Sequence, residues 1–262
     1  YMLYRLYVQL FDLEQRWNVM IIVIMIISMM IGAFGGLAEN SIRRVLGYQM
    51  LNGMPFILVM LAFTSDDPRR ALAAGIMYTI HHMLTVGSLI LASGAIEETY
   101  GTGLLSKLSG LARRDPIIAW IFAAGAFSVV GFPPFSGMWG KLMIVFEIAR
   151  VGGAWAWIAI AAIIIASFAA FLAMLRVWRK VFWGKGLPED KVPDELVIRK
   201  KLMAPSAALI LGSLCMFIFS GIVLDVVDSA AEQLLDTNAY TETVLGDEPI
   251  AVPNIDEIQE GR

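Results

Sequence analysis

Charge is scarce in this sequence: 16% of its 262 residues are Asp, Glu, Lys or Arg, where an ordinary soluble domain carries about 25%. The few charges are also segregated. Six stretches contain none of them: Trp17–Ala38, Val45–Ser65, Ala71–Ile96, Pro116–Gly140, Val151–Leu175 and Leu202–Leu224. Such a pattern excludes a soluble globular chain. Cysteine is nearly absent. The single Cys215 lies inside an apolar run, which excludes an intrachain disulfide and a cysteine-based metal cluster. Histidine is almost as rare. His81 and His82 are the only two, and neighbours on a helix point about 100° apart, so they cannot supply both axial ligands of one haem. Basic surplus is lacking as well: Asp225–Arg262 holds ten acids and one arginine, leaving only +6 for the rest, too little for nucleic-acid binding. There is no signal-peptide pattern, no Gly-rich phosphate loop beside a strand and no carboxylate pair in a pocket-like context. Catalysis of the soluble-enzyme type has no visible seat, and no cofactor or metal is expected.

What is present is hydrophobic length. The six uncharged runs are 21 to 26 residues long, and about 20 helical residues cross a hydrocarbon core of roughly 30 Å. They are continuous and rich in Ile, Leu, Met and Ala, not alternating as barrel strands are. The expected fold is all-α, a polytopic transmembrane helical bundle of six crossings, one of them discontinuous. Residues 1–16 read as an amphipathic opening segment, 17–224 as the membrane domain and 225–262 as an acidic tail. A chain that opens on Tyr1 is expected to begin inside a longer gene product or after processing. Gly32 and Gly36 form a small-xxx-small pair suited to close helix packing. Trp155, Trp157, Trp178 and Trp183 flank the fifth run as an interfacial aromatic belt does.

Counting Pro116 to about Arg150 as one interrupted crossing, loops 39–44, 97–115 and 176–201 share a side and carry 13 of the 20 bases, against 6 on the other. The positive-inside rule makes the first side cytoplasmic and the acidic tail extracytoplasmic, in the cell's inner (plasma) membrane. Two full crossings over Pro116–Arg150 would give 12 against 7 with another assignment.

Two segments could carry chemistry. In GFPPFSGMWGKLMIVFEIAR, Gly131–Arg150, Pro133 and Pro134 remove two backbone donors, and Gly131, Gly137 and Gly140 weaken the helix further. A break is expected between about Val130 and Gly137. Irregular backbone at membrane depth lines cavities or ion sites, and Lys141 follows it between apolar neighbours. An intramembrane lysine is read as a functional site, the alternative being a side chain that snorkels to the interface. In IMYTIHHMLTVGSLIL, Ile76–Leu91, spacings of three and four put Tyr78, His81, Thr85 and Ser88 on one stripe, with His82 at its flank. Histidine titrates near neutrality and suits a proton relay. An interhelical hydrogen-bonding pair is the equal alternative.

The string GFPPFSGMWGK resembles the broken-helix signature of the antiporter-like subunits shared by respiratory complex I and the Mrp-type multisubunit sodium/proton antiporters. ENSIRRVLGYQMLNGMPF (Glu39–Phe56), YTIHHML (Tyr78–Leu84) and RVWRKVFWGK (Arg176–Lys185) agree with it in order and spacing. The paired histidines and the Trp178–Trp183 segment lean toward the D-type Mrp subunit. The resemblance covers roughly Trp17 to Leu224. It implies two inverted five-helix repeats in about fourteen helices, of which this chain supplies the second repeat and the final helix. It further implies an ion-translocating subunit of a sodium/proton antiporter, working with other membrane subunits in lipid on protons and sodium. By it His82 matches a relay histidine beside His81, and Lys141 the last lysine of a half-channel open to the outside. Tyr78, Thr85 and Ser88 would support the path, and Pro133, Pro134 and Gly137 the helix break.

Three departures stand against the pattern. Val86 occupies the place of a lysine four residues after the histidine, Gln49, Met50 and Asn52 replace a serine-rich passage, and the first repeat is not in the sequence. Either water along Tyr78, His82, Thr85 and Ser88 replaces the lysine, or the subunit is a degenerate scaffold. A complex I-type antiporter-like subunit is the remaining alternative.

Overall fold

The computed structural model describes residues 1–11, 13–185 and 196–246, and its named elements are all helices. Lys191 of the third basic loop and residues 247–262 of the expected tail lie outside them. In chain order the helices are α1 (Met2–Phe11), α2 (Asn18–Ala38), α3 (Ile42–Leu58), α4 (Pro68–Tyr100), α5 (Leu111–Arg114), α6 (Pro116–Val130), α7 (Gly137–Val151), α8 (Gly153–Val177), α9 (Lys200–Ile218), α10 (Ser220–Leu235) and α11 (Thr237–Leu245). A π-helical turn, Trp178–Phe182, prolongs α8. Among the described residues five helical spans are long and apolar enough to cross a membrane: Gln15–Ala38, Ile42–Ala62, Pro68–Tyr100, Gly153–Phe182 and Lys200–Ile218. This is a multi-pass membrane fold. The remaining run, Pro116–Gly140, is not one helix. It is divided between α6 and α7, each 15 residues long.

Local chemistry sets these boundaries. Asp67 caps α4 by accepting from the Arg70 amide at 3.1 Å, Pro68 opens its first turn, and Gly101, at φ 69°, closes it. The 33 residues between make α4 the longest helix and the centre of the bundle: α3, α6, α7, α9 and α10 all pack on it. α2 lies against α3 and α8. There Gly32 fulfils its packing role, because a Cβ would approach the Asn52 Cα at 2.7 Å.

The two ends of the bundle differ. At one end the loops after α2, α4 and α8 come together: the Ile42 amide donates to the Gly103 carbonyl at 2.9 Å, Leu105 to Asn40 at 2.9 Å, and Arg176 binds Asn40 Oδ1 at 2.8 Å. Arg43 pairs with Glu97 there. At the other end Arg69 pairs with Asp228 of α10 at 2.9 Å and Arg150 of α7 with Asp66 at 3.7 Å. Residues 225–235, at the start of the expected tail, belong to α10 and bury Val227, Ala231 and Leu234, a helical face, in the core beside α4.

Candidate functional site

The site forms where α6 stops. In a continuous helix the Val130 carbonyl would accept from the amide of residue 134, but that residue is proline and has none. Gly131 instead turns the chain at φ 102°, its amide donating to Phe127 and Ser128 at 3.0 and 3.1 Å, and the chain passes through Pro133 and Pro134 before α7 begins at Gly137. The Val130 carbonyl is left to another donor. Lys141, one turn into α7, supplies it: Nζ lies 2.8 Å from Val130 O and 2.9 Å from Ser167 Oγ of α8. The ammonium also stands 5.4 Å from the Phe56 ring centroid, within cation–π range. Lys141 therefore turns inward to the helix break. It does not extend along its helix to an interface. Glu147 does not join it and pairs with Arg150 at 3.7 Å.

Gly137 lets the two half-helices meet α4. A Cβ at that position would collide with the Ser128 carbonyl and come within 2.8 Å of His81 Cε1. The close approach assembles a ring of buried polar groups. His81 Nδ1 lies 2.9 Å from Ser136 Oγ, Ser136 2.7 Å from Ser213 Oγ, Ser213 2.9 Å from Ser128 Oγ, Ser128 2.8 Å from Thr85 Oγ1, and Thr85 3.3 Å from His81 again. Its members come from α4, α6, the break and α9, and none is more than 1% exposed. A hydroxyl accepts one hydrogen bond while donating another, so such a chain can pass a proton along without moving a heavy atom.

The polar stripe of α4 is thus divided. Thr85 joins His81. Ser88 instead exchanges hydrogen bonds with Ser206 of α9 at 2.7 to 3.0 Å. Tyr78 stacks on Phe56 at 5.2 Å and on His82 at 5.9 Å and meets His81 in an edge-type contact at 5.3 Å, and Phe56 in turn carries the Lys141 ammonium over its ring. His82 faces α3, its ring against Gly53, where any Cβ would collide with it, and hydrogen-bonded to the Met50 backbone. Its Nε2, both amide atoms of Gln49 and Asn52 Oδ1 are buried with no partner among the described residues. Val86 is 2% exposed and packs in an apolar cluster. Sequence reasoning missed Ser128, Ser136, Ser167, Ser206 and Ser213, because single serines in apolar helices are commonplace. One signal existed: Ser206 and Ser213 are seven apart, on one face of α9.

Residues 1–171 match the model of the family described as NADH:quinone oxidoreductase/Mrp antiporter, TM. The chain belongs to this family. It is 32% identical over 220 residues to the D-type subunit of the Na(+)/H(+) antiporter of Bacillus subtilis (strain 168), covering 84% of this chain and 43% of that protein. Against the N-type subunit of the NADH-quinone oxidoreductase of Cupriavidus taiwanensis it is 26% identical over 208 residues, 77% of this chain and 42% of the relative. The family fold is seen in the Mrp complex from Dietzia sp. DQ12-45-1b, one chain of which superposes with a TM-score of 0.86 at 30% identity, over 94% of this chain and 52% of that one. The chain thus spans less than half the length of these two curated relatives, and it is a homologue of the D-type antiporter protein among them.

Proposed function

We propose that this chain is the ion-translocating part of a D-type subunit of a multisubunit sodium/proton antiporter in the cell membrane, and that protons pass by way of His81, His82 and Lys141. The observation that carries the reading is the placement of Lys141 at the helix break, held by the carbonyl that Pro134 leaves free and by Ser167. An ammonium held by neutral oxygens, without a carboxylate among the partners described, can release and regain its proton with no ion pair to break. The hydroxyl ring lets His81 take up a proton: a proton reaching Nδ1 converts that atom from acceptor to donor, and the neighbouring hydroxyls turn in sequence to accept from it. On the other face His82, Gln49 and Asn52 present unpaired polar atoms toward α3 in place of a serine-rich passage, and water binding there would serve as the approach. Other membrane subunits and the remainder of the antiporter would complete the machine.

The test is Lys141→Ala in everted membrane vesicles, with sodium-driven proton movement read from a pH-gradient dye. Assembled protein is expected at near-normal amounts with at least tenfold slower coupled transport. Normal transport by the variant would refute the reading. A second reading, a non-conducting scaffold subunit, is favoured by one observation, the apolar burial of Val86 where relatives in this family resemblance carry a lysine. Under it Lys141→Ala would lower assembly and leave the transport per assembled complex unchanged.

A further inference from the structure

A cavity of about 540 Å³ lies between α6 and α8, and its lining is almost wholly apolar. Its volume falls in the range of sites for small organic ligands, about 300–1,000 Å³. It begins at Ala112 and Pro116, beside Trp178 and Trp183, and ends at Val130 and Phe171. From Pro116 to Val130 the helix rises roughly 20 Å, a little more than one leaflet of hydrocarbon at about 15 Å. The groove therefore opens at one surface and stops near the middle of the membrane. A helix of a partner protein would cross both leaflets; an acyl chain would not.

Charge at the open end decides the rest. Arg113 follows Ala112 in the chain, and Arg179 and Lys180 follow Trp178, so three bases border residues that line the mouth. All three are exposed, and none has an ion-pair partner among the described residues. Of the described acids of this end, Glu97 pairs with Arg43, Glu39 pairs with Arg44 at 3.6 Å, and Asp115 binds Tyr100 and the Ile198 amide at 2.9 Å. Glu98 is exposed and lines a separate cleft with Ser41 and Arg43, while Glu189, Asp190, Asp194 and Glu195 lie outside the described residues. Trp120, 76% exposed, and Trp183, 58% exposed, place amphipathic rings on the walls, as at a membrane interface.

We propose that this groove is a binding site for an anionic phospholipid, one acyl chain lying between α6 and α8 and the phosphate held by Arg113, Arg179 and Lys180. Unpaired bases at a membrane surface attract anionic headgroups, and a preformed apolar slot fixes the chain beneath them. Occupancy would seal a concavity that runs to Val130, whose carbonyl holds Lys141.

The experiment uses tryptophan fluorescence, since three of the seven tryptophans, Trp120, Trp178 and Trp183, line the groove. The chain, in its complex, is reconstituted in phosphatidylcholine vesicles, and brominated-chain phosphatidylglycerol or brominated-chain phosphatidylcholine is added at equal low mole fraction. The anionic lipid is expected to quench more strongly, with an apparent affinity several-fold higher. That excess is expected to vanish in the triple variant Arg113→Gln, Arg179→Gln, Lys180→Gln, whose side chains are exposed and carry no fold, and in Ala123→Phe, which fills the groove. Equal quenching by the two lipids, or an excess that survives both variants, would overturn the proposal. So would a crosslink from Trp120→Cys, in a Cys215→Ser background, to a neighbouring protein in native membranes, because the groove would then belong to a protein partner.

Discussion

Pro134 lacks an amide hydrogen, and that one missing donor accounts for much of the local chemistry. It frees the Val130 carbonyl, and Lys141 occupies it at 2.8 Å. A comparable dependence runs through Ser213, which meets Ser128 and Ser136 at 2.9 and 2.7 Å inside a fully buried ring. Ser213→Ala is expected to leave both serines one partner short, at a cost of about 1–3 kcal/mol, and to slow coupled proton movement. Ser206→Ala, which opens the separate pair with Ser88, is expected to cost a similar amount of stability and leave transport intact. Denaturation midpoints in mixed micelles, measured beside vesicle transport, distinguish the two. Val86 behaves differently. A lysine there would enter an apolar cluster with no acid to meet it, and Val86→Lys is expected to cost several kcal/mol, seen as loss of assembled protein from the membrane. Val86→Ile is expected to assemble normally.

At the scale of the element, the division of one apolar run into α6 and α7 is what gathers groups from four segments. The closest approach is at Gly137, where any side chain meets the Ser128 carbonyl and the His81 ring. Gly137→Ala is therefore expected to push α7 away from α4 at a cost of about 1–3 kcal/mol. It would weaken transport even though alanine favours helix, whereas Gly94→Ala, on α4 with open space around it, is expected to be neutral or slightly stabilising. The denaturation midpoint and the transport rate of each variant decide this. α4 shows a related effect. Its histidines are adjacent in sequence, yet the helical turn between them sends His81 to the α6–α7 break and α9 and His82 to α3. One helix thus serves two polar clusters.

For the whole molecule, the arrangement of loops carries the topology. The loops after α2, α4 and α8 are knit together at one end by Arg176, Arg43 and the Ser41–Leu104 bridge, which places these basic segments on one side of the bundle. With the positive-inside rule, that side is expected to face the cytoplasm and Asp228 of α10 the outside. Single cysteines at Thr102 and at Ser229, in a Cys215→Ser background, test this with a membrane-impermeant maleimide on intact cells. Ser229→Cys is expected to react and Thr102→Cys only after permeabilisation; the reverse pattern would invert the assignment.

The helical class and the division of the fourth apolar run were legible in sequence because each depends on local physics, whereas of the six expected crossings five are spans of full length among the described residues. Uncharged runs of spanning length have no soluble alternative, and consecutive prolines cannot continue a helix whatever surrounds them. Lys141 stood out for the same reason, as an isolated charge beside that break. What only the tertiary structure decided is which polar groups meet. The stripe from Tyr78 to Ser88 looked like one path, yet its members face different helices, and His81 completes a ring with Ser128, Ser136 and Ser213, residues 47 to 132 positions away. Such a ring depends on how α6, α7 and α9 pack around α4. A serine in an apolar helix has the same local signature whether it faces lipid, a backbone carbonyl or a relay, so its role becomes visible only when the helices are in place.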